Sequence, residues 1–241
     1  MALPSKTFCA APFVHMYVAK GEQRICCQTT EYNPTSATTE LDLEKRWKSD
    51  YYKNIRQQFL DGKEPAMCTK CFTTEKHHGI SDRMNYNSRY QDILFEPNIE
   101  TGNLYNSPID LELRPGNLCN LKCRMCGPTD SHMWYSDHVK LTGKTTYKDT
   151  HTLIELHQTP TGKWNTNQYD WFKDSPHYWE QFDKYCTTAK KIYIVGGEPL
   201  IIQEHLESLE RLVASGNAHN IEIEYNSNLT NVTPKYLKLW E

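Results

Sequence analysis

Nine cysteines constrain this chain more than any other feature of it. All but Cys186 fall into groups: Cys9, then Cys26 with Cys27, then Cys68 with Cys71, then Cys119, Cys123 and Cys126. Their number is odd, and 241 residues suffice to bury a core without covalent staples. A disulfide framework is therefore disfavoured, and the same thiols read as metal ligands. Cys186 lies beside Phe182 on an apolar face and reads as a buried core thiol.

Composition excludes several alternatives. With 27 basic and 30 acidic residues the chain has no basic field to attract nucleic acid or anionic lipid. A mean hydropathy of −0.74 marks a polar chain, and no stretch approaches the ~20 apolar residues of a membrane helix. Residues 8–19 are partly apolar but are broken by Pro12 and His15 and lack a charged leader, so the sequence points to the cytoplasm. In that setting the Asn228 and Asn231 glycosylation patterns are chance matches.

Residues 13–27 read as a β-hairpin turning at Lys20, Gly21 and Glu22. A polar loop fills residues 28–40. Leu43, Trp47, Tyr51, Ile55 and Phe59 recur at i+4 and predict one helix ended by Gly62. Residues 73–108 read as a linker with one helix. From Ile109 the pattern changes: Leu111 and Leu113 alternate with Asp110, Glu112 and Arg114, as in a strand, and Pro115 and Gly116 end it. Residues 191–195 form a short apolar strand before Gly196 and Gly197. Residues 201–215 are helical through Ile202, Leu206, Leu209, Leu212 and Val213, and residues 221–225 form a third strand. Thr233 and Pro234 open a further helix. Strands alternating with helices predict an α/β fold with a parallel sheet. Between its first two strands lies an insertion, residues 127–189. Its middle (142–173) reads as loop, and its end as a helix capped by Ser175.

Cys119, Cys123 and Cys126 are spaced CxxxCxxC directly after a strand. Soft thiolates at such spacing select zinc, copper(I) or iron–sulfur clusters. A structural zinc site needs a fourth protein ligand, for which His132 is the nearby nitrogen; a cubane accepts three thiolates and leaves one iron open. CxxxCxxC at the end of the first strand of a βα array resembles the signature of the radical SAM superfamily. The resemblance implies a partial (β/α) barrel and a [4Fe–4S] cluster on these three cysteines, whose open iron chelates S-adenosylmethionine. An electron, from a donor such as flavodoxin or ferredoxin, then cleaves the cofactor to start radical chemistry on a substrate. The family's GGE motif is matched by Gly196, Gly197, Glu198 and Pro199, and Asn226 and Asn228 fall where the family carries polar cofactor contacts. Met125 stands where the family often has an aromatic residue near adenine.

The N-terminal cysteines suggest a second centre. Cys9, Cys26, Cys68 and Cys71 would fully ligate another [4Fe–4S] cluster, with Cys27 as the alternative to Cys26 because adjacent strand residues face opposite ways. A four-cysteine zinc site is the competing reading. The segment resembles the SPASM and twitch modules that carry auxiliary clusters, although those modules commonly follow the barrel. The division expected is thus an auxiliary module over residues 1–75, a linker over 76–108 and a core over 109–241. The resemblance implies an enzyme acting on a substrate such as a peptide or protein. An iron–sulfur electron-transfer protein or a zinc protein without radical chemistry is the alternative. Only three core strands are visible, so an incomplete barrel is expected, with residues 221–225 at its edge and a second chain as a possible source of the remaining strands.

Overall fold

The computed structural model describes residues 3–19, 22–30, 42–92, 97–103, 106–149, 153–169 and 176–241. The turn expected at Lys20 and Gly21, most of the 28–40 loop and the Ser175 cap lie outside them. The elements run α1 (Ala11–Val14), β1 (His15–Ala19), β2 (Glu22–Arg24), α2 (Leu43–Trp47), α3 (Asp50–Leu60), α4 (Thr69–Lys76), α5 (Asp82–Tyr90) and β3 (Asp110–Arg114). They continue with α6 (Tyr135–Thr142), β4 (Thr146–Lys148), β5 (Leu153–Glu155), β6 (His157–Gln158), β7 (Trp164–Asn165), α7 (Pro176–Cys186), β8 (Lys191–Ile194), α8 (Gln203–Ala214), β9 (Glu222–Tyr225) and α9 (Pro234–Trp240).

One sheet organises the molecule, in the order β2-β1-β3-β8-β9. Strands β1, β3, β8 and β9 are parallel, with His15 opposite Asp110, Asp110 opposite Lys191 and Lys191 opposite Glu222; β2 returns antiparallel to β1. The parallel βα grammar read from residue 109 onward is present. The expectation of three core strands is corrected, because β1 from the N-terminal segment pairs along its whole length with β3. The cysteine-rich segment and the βα array therefore build one sheet. Strand β9 is an edge strand, and no described strand lies beyond it.

The two faces of this sheet differ because side chains alternate along a strand. Leu111, Leu113, Ile192 and Ile194 are buried in one core with Tyr178 and Phe182 of α7, Leu209 and Leu212 of α8 and Tyr236 of α9. The opposite face carries His15, Asp110, Glu112, Lys191, Tyr193 and Glu224, and α5 lies beside it. Ser81 caps α5 by accepting from the Met84 N–H at 3.2 Å.

Two further expectations are revised. The single helix predicted over Leu43–Phe59 is broken at Ser49, which is extended (φ −68°, ψ 157°) and bonds its hydroxyl to the Arg46 carbonyl at 2.6 Å. The break shifts the apolar stripe by one position, so Tyr52 rather than Tyr51 is fully buried beside Trp47, Ile55 and Phe59. The middle of the insertion is more than loop. Strands β4 and β5 form one hairpin and β6 and β7 another, and Ile154 and Leu156 pack with Tyr135 of α6 in a small second core. Among the described residues, no helix is long and apolar enough to cross a membrane.

Candidate cluster and cofactor sites

The three-cysteine loop leaves the carboxyl end of β3. Cys119 is buried, Cys126 half-buried and Cys123 exposed. A turn from the Cys126 N–H to the Cys123 carbonyl (3.0 Å) brings the last two together, and the Leu121 N–H points at the Cys119 Sγ at 3.5 Å. Ser131 holds the loop from behind through the Leu121 carbonyl at 2.7 Å. Asp130 does so by accepting from the Gly127 N–H at 3.1 Å while ion-paired with Arg114. His132, the nitrogen considered as a fourth zinc ligand, spends its Nδ1 on the Cys119 N–H at 3.1 Å and is held below its ordinary pKa by burial.

Gly196 and Gly197 have φ of +87° and +58°, a region open to glycine. Their conformation lets the β8 end lie directly on the cysteine loop. A Cβ on Gly197 would overlap the Leu118 carbonyl oxygen, and one on Gly196 would overlap the Arg114 side chain. The Gly197 N–H donates to the Asp130 carbonyl at 3.1 Å and the Glu198 N–H to that of Leu118 at 2.8 Å.

Glu198 is fully buried. Its carboxylate accepts from the Leu200 N–H (3.1 Å), the Ser227 hydroxyl (2.7 Å) and the Asn228 N–H (2.6 Å), binding the segment after β8 to the segment after β9. Pro199 is buried at the start of the short turn that this carboxylate caps. The Asn228 side chain donates to Asn120 of the cysteine loop at 2.9 Å, and Asn120 donates to Thr230 at 2.7 Å. Asn226 continues the β8 ladder through the Ile194 carbonyl at 3.0 Å. The loops after three adjacent parallel strands thus meet at one carboxyl edge, where such sheets keep their ligands. Met125 is 94% exposed.

A second group of thiols gathers on the N-terminal side. Cys9, Cys26, Cys68 and Cys71 line one enclosed, apolar pocket with Ile25, Phe59 and Tyr86. Cys27 faces the other way, into the pocket lined by Glu112, while Cys26 faces the other thiols. Strand β2 ends at Arg24, so the expected strand alternation does not reach them and the turn after it separates the two side chains. Backbone groups near three of the four sulfurs act to lower their pKa: Ala11 at Cys9, Gln28 at Cys26, and Asp82 and Arg83, at the start of α5, at Cys71. Such groups favour thiolates and tune clusters. Burial acts in the opposite sense, pushing the Cys9 and Cys26 thiols well up, with neighbouring cysteines adding to the shift. Ionising this group together needs a bound cation. Among the described residues, no three His, Cys, Asp or Glu side chains converge tightly enough to hold a single metal ion, so the thiols share a pocket rather than one closed shell. Cys186 is a core thiol, 1% exposed.

The sequence reading missed the polar face of the sheet between these two sites. His15, Asp110 and Glu112 are all buried there. The Tyr90 hydroxyl donates to Asp110 at 2.6 Å, and despite burial the adjacent His15 helps hold that carboxyl below its usual range, whereas burial pushes Glu112 up. The alternation in residues 109–114 contained the signal, since charged residues recur on one face of a strand whose other face is apolar.

Comparison with known proteins finds no family model, no curated protein and no solved structure that matches this chain.

Proposed function

We propose that this chain is a radical SAM enzyme, with Cys119, Cys123 and Cys126 holding a [4Fe–4S] cluster and Cys9, Cys26, Cys68 and Cys71 an auxiliary one. The observation that carries the reading is the meeting of a three-thiol loop with a Gly-Gly turn at one sheet edge, tied to the segment after β9 through Glu198. When bound, such a cluster with S-adenosylmethionine supplies a one-electron cleavage of the cofactor.

The chain's own residues have separable tasks. Asp130, Ser131 and Asn228 fix the cysteine loop. The backbone of Gly196 and Gly197 offers close approach to a ligand without side chains in the way. Glu198 acts as a strut between two loops, its carboxylate already accepting three hydrogen bonds. A family-like contact to the methionine group would therefore fall to backbone atoms beside it. An electron donor such as flavodoxin or ferredoxin, a peptide substrate and a second chain alongside β9 are the partners this reading implies.

Anaerobic reconstitution tests it. The protein should take up about eight irons, two cubanes' worth, and form 5′-deoxyadenosine from S-adenosylmethionine under reduction. Changing Cys119, Cys123 and Cys126 to Ala should remove about half of the iron and all of that product. Cys26→Ala should cost iron at the auxiliary site, and Cys27→Ala should not. Iron uptake without 5′-deoxyadenosine would favour an electron-transfer protein, and stoichiometric zinc without iron would end the proposal.

A further inference from the structure

The polar face of the sheet forms the floor of a cavity of about 650 Å³, roofed by α5. Four carboxylates line it, those of Asp82, Asp110, Glu112 and Glu224, against two fixed cations, Arg89 and Lys191. Lys191 is already committed, since it ion-pairs with Glu224 and lies 3.8 Å from Glu222. Asp110 receives the Tyr90 hydroxyl. Glu112 has beside it the Cys27 thiol, a weak donor, and the His15 Nε2 at 3.8 Å. Buried carboxylates left this short of donors are costly unless a cation or a stronger donor meets them.

A second, independent observation is His15, 1% exposed and lining the same cavity. Its Nδ1 faces Asp110 at 3.1 Å, while its Nε2, 3.8 Å from Glu112, has no hydrogen-bond partner among the described residues. A fully buried imidazole that directs Nδ1–H at Asp110 leaves Nε2 as an open acceptor for a donor from a ligand. Tyr86 and Tyr193 add aromatic walls, the surface that favours an organic cation with an apolar stem. The cavity adjoins the same carboxyl edge of the sheet, because Tyr193 of β8, in its wall, stands three residues before Gly196.

We infer that this cavity binds a cationic side chain of the substrate, a lysine ammonium or an arginine guanidinium, with Glu112 and Asp110 as its counter-charges and His15 as an acceptor. The inference rests on the radical SAM reading in taking this cation to belong to the substrate.

The test is calorimetric titration of the full chain with Nα-acetyl-lysine amide, Nα-acetyl-arginine amide and the neutral isostere Nα-acetyl-norleucine amide. At least one cationic probe should bind saturably, and norleucine about tenfold or more weaker, the discrimination expected of a charge-assisted contact. Glu112→Gln, nearly isosteric, should weaken the cation by a similar factor. Asp110→Asn provides the same comparison if Glu112→Gln fails to fold by circular dichroism. Equal binding of all three probes, no saturable binding of either cation, or no effect of the folded variant would overturn the inference. Assaying 5′-deoxyadenosine on the same preparation separates the two ideas. Its formation without cation binding sinks this inference alone, and cation binding without it sinks the radical reading alone.

Discussion

His205 shows how a single side chain ties stability to pH. It is 1% exposed, stacked on Tyr236 (5.9 Å between centroids) and edge-on to Tyr225, and neither ring nitrogen has a hydrogen-bond partner among the described residues. Burial pushes it down to about 4, so the folded state holds it neutral. Below the unfolded value near 6.5 the unfolded chain binds the proton and the folded chain does not, so stability falls as the solution is acidified. The full contribution is present above about pH 6.5 and is lost progressively towards about pH 4, amounting to about 3 kcal/mol at most. His205→Phe keeps the stacking and removes the proton site. Urea unfolding of the variant across that window should show a shallower loss than the parent protein. Parallel slopes would mean that His205 is not what titrates.

At the scale of elements, what could be read from the sequence was what depends on local pattern. The strands at Asp110–Arg114, Lys191–Ile194 and Glu222–Tyr225 follow from alternation and short apolar runs, and the helix Gln203–Ala214 from its periodic face. The cysteine spacings likewise marked both thiol groups that the fold gathers. What could not be read depended on distant partners. Nothing local in His15–Ala19 states that it pairs with a strand some ninety residues later, and the hairpins of the insertion are too short to carry a period. Ser49 broke a helix whose i+4 pattern ran straight through it. The Gly-Gly turn was legible as a candidate ligand site, and its role in packing the cysteine loop was not. Its contact with the cysteine loop implies that Gly197→Val would act on both sites. A Cβ would overlap the Leu118 carbonyl and the backbone would leave a favoured φ, so the loop must move. Iron at the three-cysteine site should fall together with S-adenosylmethionine affinity, by iron analysis and equilibrium dialysis. Lost affinity with unchanged iron would restrict the glycine to the cofactor.

For the whole molecule, the decisive fact is that β1 sits between β2 and β3. Cys9 precedes this strand, Cys26 follows its hairpin, and His15 on it faces the cavity floor. The auxiliary thiols, the polar cavity and the three-cysteine loop are consequently arranged along adjacent strands of one sheet. A separately folding 1–75 module joined by a linker would unfold independently of the βα array. A shared sheet cannot lose β1 without exposing one side of β3, and the core joins Phe13 and Val18 from the N-terminal segment to Leu111 and Ile192 from the array. Unfolding should therefore be a single cooperative transition in which Trp47, in the N-terminal segment, and Trp179, on α7, report the same midpoint. Cys68→Ser with Cys71→Ser should lower that common midpoint in the metal-loaded protein, because a ligand bound only by the folded state stabilises everything cooperative with its site. Single-tryptophan variants followed by fluorescence in urea would measure this. Two separated midpoints, with only the Trp47 one sensitive to the cysteine changes, would show that the sheet's halves are energetically independent despite their pairing.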